Sequence, residues 1–276
     1  MESSTVLSVA RQAARAAVAV HRQNLGAVAV DAWTEKGSAD FVTHVDREAE
    51  RRAVECIRAA FPDHAILAEE EATAATAPAR ASASDWLWII DPLDGTTNFL
   101  HRYPMYAASV AAVHRGEPVA AAVISGATGE EWTAVRGGGA YRDGERITVS
   151  SITRMPHALI GTGFPFKTLE RLAEYTTQFS AVLRATAGIR RGGAAALDLC
   201  YVAQGMFDGF WELSLAAWDI AGGTLMVREA GGIVTRLDGD TNVLGPGSIL
   251  AGNPAIHAAL GQLLREVRTD AAGEAA

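Results

Sequence analysis

Cysteine is scarce in this sequence: of 276 residues only Cys56 and Cys200 carry a thiol. They stand far apart in apolar helical patterns, which excludes a disulfide scaffold and reads as two buried thiols. No Cys/His spacing suits zinc, and the seven histidines are scattered rather than clustered. Long hydrophobic runs are missing too, so no segment reads as a helix able to cross a bilayer. The opening residues Met1-Glu2-Ser3-Ser4 lack the basic start and apolar run of a secretory signal. A cytoplasmic protein with no membrane partner is the expectation. Positive charge is also in deficit, 24 Lys and Arg against 32 Asp and Glu, for a formal net charge of −8. That excludes a large basic footprint, and no direct nucleic-acid contact is expected.

What is there is an ordinary globular composition, 49% hydrophobic and 20% charged. The length fits one large domain or two small ones sharing a core. Thr5 to Gln23 reads as an amphipathic helix, with Val6, Val9, Ala10, Ala13, Ala14 and Ala17 at helical spacing. Lys36 to Asp40 reads as a loop, and Asp46 opens a second helix that runs to about Ala60. Ala65 to Ala68 reads as a buried strand that delivers Glu69, Glu70 and Glu71. Ala72 to Ser84, almost all Ala, Thr, Ser and Pro, reads as a surface loop. Trp86 to Ile90 is the strongest strand signal and runs straight into Asp91-Pro92-Leu93-Asp94-Gly95. From about Tyr106 to Ser150 the pattern is strand, turn, strand, with Asp143-Gly144 as a turn.

After about Thr153 strands alternate with helices: a strand at Leu159 to Phe164, a helix at Leu169 to Leu183 and another at Ala194 to Gln204. A strand at Phe207 to Trp211, a helix at Trp218 to Ala230 and a strand at Gly232 to Leu237 follow. The expected division is an N-terminal α+β half at 1–152, a C-terminal α/β half at 153–268 and a disordered tail at 269–276.

The chemistry lies in the carboxylates. Asp91 and Asp94 sit just past a very apolar strand, Pro92 fixes the backbone between them, and Gly95 allows a tight turn. Two carboxylates held this close raise each other's pKa unless a cation neutralises them. Oxygen donors without His or Cys point to Mg2+ or another hard cation. Glu69 ends its own apolar strand, and Asp219 opens a late helix. Taken singly, each has a plain alternative: a type I turn for Asp91 to Asp94, a solvated acidic edge for Glu69 to Glu71, an N-cap for Asp219. Gly95-Thr96-Thr97 at a helix start offers backbone N–H groups to a phosphate, which an acidic protein needs.

Asp91-Pro92-Leu93-Asp94-Gly95-Thr96-Thr97-Asn98 resembles the first signature of the inositol monophosphatase family, and Trp218-Asp219-Ile220-Ala221-Gly222-Gly223 resembles the second. Glu69 and Glu70 match that family's Glu-Glu pair. Lys36 to Asp46, Gly161 to Phe166 and Arg190 to Val202 are similar to bacterial members. The resemblance spans roughly Lys36 to Asn253. It implies a layered α/β (α+β) fold, a five-layer αβαβα sandwich of the type shared with fructose-1,6-bisphosphatase, usually a homodimer.

The resemblance also implies lithium-sensitive, Mg2+-dependent hydrolysis of phosphate monoesters, with two or three ions per subunit. Glu69, Asp91 and the Leu93 carbonyl would hold one ion, Asp91, Asp94 and Asp219 a second, with a third, weaker ion near Glu69. Thr96 with Asp46 matches the pair that orients and deprotonates the attacking water, in a catalytic set with Glu69. Asp94, Gly95, Thr96 and Thr97 would meet the phosphate. Gly193, Ala194, Ala195 and Glu212 would meet the rest of a small phosphorylated polyol or sugar-like substrate.

Where this family usually has Ser or Thr, this chain has Ala194, so one hydroxyl for the substrate is missing. The expected substrate is inositol 1-phosphate. Histidinol phosphate, fructose 1,6-bisphosphate and adenosine 3′,5′-bisphosphate, which relatives hydrolyse, are alternatives. A regulatory role through protein partners in transcription or ribosomal RNA maturation is a reading of another class.

Overall fold

In the computed structural model, residues 3–37, 40–71 and 84–273 are described. Helix α1 (Ser3–Asn24) buries the predicted stripe of Val and Ala residues, whose small side chains let it lie close to its neighbours. Strands β1 (Thr34–Gly37) and β2 (Asp40–Val42) pair antiparallel, so the segment expected to be a loop holds strand at both its ends, while its residues 38–39 lie outside the described residues. Helix α2 (His44–Ala60), capped by Thr43, begins two residues earlier than expected and puts Asp46 at its third position.

Strand β3 (Ala65–Ala68) has the predicted bounds. Residues 72–83 of the expected surface loop lie outside the described residues. Strand β4 (Trp86–Asp94) continues past Ile90, so Asp91 to Asp94 is a bulged strand end and not a type I turn. Helix α3 (Thr96–Leu100) follows, then the meander β5 (Ala107–His114), β6 (Glu117–Ser125), β7 (Glu131–Val135), β8 (Gly139–Arg142) and β9 (Glu145–Ile147). Asp143 and Gly144 both have positive φ, 51° and 84°, and form the predicted turn between the last two strands.

Strand β10 (Leu159–Thr162) is shorter than expected because Gly163 leaves the ladder. A 3-10 turn at Leu169–Arg171 precedes helix α4 (Leu172–Ala185). Strand β11 (Gly188–Arg190), helix α5 (Ala195–Ala203), strand β12 (Gly209–Leu215), helix α6 (Ala217–Glu229) and strand β13 (Ile233–Thr235) follow. Strand β14 (Gly247–Gly252) runs antiparallel to β12 and β13, so the simple alternation expected of this region ends in a mixed sheet. Helix α7 (Pro254–Gly273) takes in residues 269–273, expected as tail; residues 274–276 lie outside the described residues.

Among the described residues the large sheets are seven-stranded, β3-β4-β5-β6-β7-β8-β9, and five-stranded, β11-β10-β12-β14-β13. Helices α1 and α2 cover one face of the first sheet. Helices α5 and α6 fill the space between the sheets, and α4 and α7 cover the outer face of the second. The layer order is αβαβα, as expected. No helix among the described residues is long and apolar enough to cross a membrane.

One irregularity positions the site. In a regular strand, side chains three apart face opposite sides. Between Asp91 and Asp94 the β4–β5 register shifts, so that Asp91 pairs with Ser109 and Asp94 with Ala107, leaving Pro92 and Leu93 opposite Ala108 alone. This bulge resets the alternation. Leu87 and Ile89 face the middle layer, and Trp88, Ile90 and Leu93 face α1 and α2. Asp91 and Asp94 therefore share the cavity side.

Candidate metal and phosphate site

At the C-terminal end of β4 a cavity of about 270 Å³ opens between the two sheets. Its lining brings together Glu69, Asp91, Leu93, Asp94, Gly95, Thr96 and Thr97 from one side with Gly193, Ala194, Ala195, Glu212 and Asp219 from the other. Those are all the residues given a metal, catalytic or substrate role from the sequence except Asp46. That residue stands behind the cavity wall, and its Oδ1 accepts the Thr96 hydroxyl at 2.9 Å. A wider groove of about 830 Å³, beside α1 and the outer face of β7 and β8, shares no lining residue with this cavity.

Each carboxylate is set by local backbone. Asp91 Oδ1 accepts the Leu93 N–H at 3.1 Å within the bulge. Asp94 Oδ2 accepts the Ala196 N–H at 2.8 Å, which ties β4 to the first turn of α5. Asp219 and Asp46 occupy the third position of α6 and α2. Asp219 Oδ2 accepts the Ala216 N–H at 2.6 Å, and Asp46 Oδ2 accepts both the N–H and the hydroxyl of Thr43 at 2.8 Å. Asp219 is therefore not the N-cap read from the sequence: Ala216 holds that position, and Asp219, from the third position of the helix, accepts the N-cap N–H while lining the cavity. Glu69 follows β3 and donates its N–H to the Ile90 carbonyl at 3.2 Å, which holds it beside β4.

Gly95 has φ +87°, and a Cβ there would stand 2.7 Å from the Met105 carbonyl, so only glycine makes this turn. The Thr96 hydroxyl also lies 3.1 Å from the Leu93 carbonyl. Its single proton can go to only one of the two acceptors. When it goes to Asp46, the Thr96 oxygen is left able to accept a hydrogen bond from a water.

The electrostatics follow from burial. Burial lifts the Asp91 carboxyl well above the usual range, and Glu69, Asp94 and Asp219 add to this. Asp94 is pushed up to about 7, by burial first and then by Asp219. Glu212 is raised well above its ordinary value by burial, with Asp219 and Asp198 contributing. Asp46 is raised by burial against the opposing hydrogen bonds of Thr43 and Thr96. Carboxylates gathered like this hold their charge only if a cation joins them.

No group of three or more His, Cys, Asp or Glu forms a ready metal cage among the described residues. The fit to a hard cation rests on the donor set, four carboxylates and a backbone carbonyl around one cavity, with no sulfur or imidazole among them.

Several participants were not singled out from the sequence. Asn98 Nδ2 donates to the carbonyls of Met105 (2.6 Å) and Gly192 (3.0 Å), fastening α3 to the loop before α5. Asp198 lines the cavity, and its Oδ1 is buried with no hydrogen-bond partner among the described residues. Gly163 leaves room for Glu212: a Cβ there would stand 2.0 Å from Glu212 Oε2. Phe164 and Phe166 lie exposed at the mouth with the Arg191 guanidinium 5.3 Å from both rings. An acid inside an apolar helical run is the one signal that would have flagged Asp198.

The chain is similar to known proteins in sequence and in fold. The model described as inositol monophosphatase family matches residues 2–269. "Nus factor SuhB" of Pseudomonas aeruginosa is 43% identical over 257 residues, covering 92% of this chain and 94% of that protein. The solved structure of extragenic suppressor protein suhB from Bartonella henselae superposes with a TM-score of 0.86 at 39% identity, covering 94% of this chain and 98% of that one. The inositol monophosphatase from Anabaena superposes with a TM-score of 0.82 at 34% identity, covering 95% and 96%.

Proposed function

The chain belongs to the inositol monophosphatase family, whose members are divalent-metal-dependent phosphatases, and from that premise we propose that it is a Mg2+-dependent phosphate monoester hydrolase acting on a small phosphorylated polyol, inositol 1-phosphate first. The observation that carries this reading is the β4 bulge. It puts Asp91 and Asp94 on one cavity wall beside Glu69, facing Asp219, with the Thr96–Asp46 pair alongside.

In this reading Glu69, Asp91 and the Leu93 carbonyl would hold one ion, and Asp91, Asp94 and Asp219 would hold another, with a third near Glu69. Such ions supply positive charge and acidify water in an in-line displacement. The protein's own part is positioning. Thr96 takes a proton from the attacking water as its own hydroxyl proton passes to the Asp46 carboxylate. The backbone at Gly95, Thr96 and Thr97 meets the phosphate oxygens, and Glu212 accepts hydroxyls of the leaving polyol beside Gly193, Ala194 and Ala195. The two buried acids of the leaving-group side, Glu212 and Asp198, suit a hydroxyl-rich group better than an anionic one.

The test is phosphate release from a panel of monoesters with and without Mg2+: inositol 1-phosphate, histidinol phosphate, fructose 1,6-bisphosphate and adenosine 3′,5′-bisphosphate. Turnover of inositol 1-phosphate that needs Mg2+ and is inhibited by Li+ is expected. No Mg2+-dependent release from any of them would refute the proposal.

The name of the Pseudomonas relative supports a second reading, a protein-binding role in transcription that coexists with catalysis. Its test is whether Asp91→Asn, deprived of turnover, still co-purifies with the transcription apparatus. Homodimer formation, common in the family, is checked by light scattering.

A further inference from the structure

His21 lies in α1, on the opposite side of β4 from the cavity. Its ring is fully buried and packs against Phe99 and Tyr106. Nε2 stands 2.7 Å from the Pro92 carbonyl oxygen, while Nδ1 is buried without a hydrogen-bond partner among the described residues. A carbonyl only accepts, so Nε2 must carry the proton and Nδ1 must be the bare nitrogen of a neutral ring. Burial agrees with that state, since it lowers the His21 pKa to about 4. The fit is close: a Cβ on Gly126 would stand 2.2 Å from the Tyr106 ring and 3.0 Å from His21 Nδ1.

Pro92 is one of the two residues that the bulge sets opposite Ala108. It has no N–H and no polar side-chain atom, so its carbonyl is the only polar handle by which this residue can be held from behind. The bulge in turn decides that Asp91 and Asp94 face the same cavity. Pro92 lies between Asp91 and Leu93, the residues that offer a carboxylate and a carbonyl to that cavity.

We propose that His21 is a positioning residue for the metal site: its Nε2–H bond to the Pro92 carbonyl fixes the bulge that aims the Asp91 and Asp94 carboxylates and the Leu93 carbonyl into the cavity. The inference rests on the reading of those groups as metal ligands. The rival account is that His21 only fills space between α1 and β4, in which case an unbranched apolar side chain of similar reach serves as well. The two accounts diverge on metal affinity rather than on stability alone. Partners that orient ligands from outside typically change metal affinity about 10- to 100-fold when removed.

The experiment measures Mg2+ binding to the full-length protein by isothermal titration calorimetry, with the melting temperature of the metal-free protein in parallel. His21→Met fills the volume without a donor and is expected to weaken Mg2+ binding about 10-fold or more. His21→Gln, whose amide nitrogen reaches nearly as far as Nε2, is expected to keep most of the affinity even where its melting temperature falls as much as that of His21→Met. Equal affinity of His21→Met and wild type would overturn the proposal, and so would equal weakening in both variants. Should His21→Met fail to fold, His21→Gln against the shorter His21→Asn carries the same contrast, and equal Mg2+ affinity in that pair would overturn the inference. A wild-type protein that binds no Mg2+ would overturn the metal reading itself, and the role of His21 with it; binding in wild type with no difference among the variants overturns only the role of His21.

Discussion

The two walls of the cavity are built on different terms. On the wall supplied by α2, β4 and α3, the functional groups already have partners. Asp46 holds Thr43 and Thr96, Asp91 takes the Leu93 N–H, and Asp94 takes the Ala196 N–H from the facing wall. On the wall supplied by residues 163–214, Asp198 Oδ1 is buried without a hydrogen-bond partner among the described residues, position 194 has no hydroxyl, and two phenylalanines stand exposed under the Arg191 guanidinium. Groups that assemble the reacting centre need their geometry fixed before anything binds. Groups that recognise a leaving alcohol keep hydrogen-bonding capacity in reserve for it. Under the proposed function, the contrast puts chemistry on the first wall, with Asp219 facing it, and substrate choice on residues 163–214.

The hardest test of that division is Asp91→Asn. Removing one shared carboxylate charge is expected to lower Mg2+-dependent turnover more than about 100-fold, beyond what loss of an outer-shell partner costs. The same change should raise the melting temperature of the metal-free protein, because Asp91 is held at high pKa by burial and by Glu69, Asp94 and Asp219. A variant that is both active and no more stable would break the assignment.

The pH dependence follows with a definite sign. Asp94, at about 7 in the folded protein, lies above its unfolded value. Its contribution to metal-free stability is full below about pH 4 and is lost as pH rises through about 7. Mg2+ binds the deprotonated carboxylates, so its stabilising shift in melting temperature should grow from pH 6 to pH 8, as differential scanning fluorimetry with and without Mg2+ would read.

Thr96→Val removes the hydroxyl and little volume. Turnover should fall about 100-fold, the lower range for loss of a proton-transfer partner, while Thr96→Ser keeps most of it. The melting temperature should change little in either. A Val variant with normal turnover would place water activation elsewhere on the first wall.

Part of this arrangement was legible in the sequence. The apolar runs at 65–68 and 86–90 specify two buried strands, and acids at their ends must share one edge of the sheet once the strands pair in parallel. Gly95 marked the turn because glycine takes a positive φ without steric cost. The bulge was not legible, because Asp-Pro-Leu-Asp fits a turn as well as a bulged strand until β5 supplies the register. His21 was hidden for a related reason: a lone histidine on an apolar helix face carries no sign of the carbonyl it will meet 71 residues later. The β1–β2 pair reads as loop because three- and four-residue strands are too short for a periodicity to appear.

The second wall is sharpened by Gly163→Ala. The added Cβ would press on the Glu212 carboxylate and displace it. KM for a polyol phosphate should rise about 10-fold or more, the cost of a lost hydrogen bond to a charged group, with Mg2+ affinity unchanged. A parallel fall in Mg2+ affinity would show that the two walls are not separable.

Ala194→Ser is the mildest change and the most discriminating. Ala194 is the N-cap of α5, in extended conformation and without a side-chain cap bond. A serine hydroxyl there has two possible uses. As a cap it would accept an N–H from the first turn of α5 and raise stability by about 1 kcal/mol. As a substrate contact it would donate to a leaving-group oxygen and lower KM about 5-fold, the size of one neutral hydrogen bond. The Ala196 N–H, one of the donors a cap would use, is already taken by Asp94. The hydroxyl is therefore expected to serve the substrate: KM falls for inositol 1-phosphate while the melting temperature stays near that of the parent. A raised melting temperature with unchanged KM would instead make Ala194 part of the fixed wall, and would move the boundary between chemistry and recognition past the start of α5.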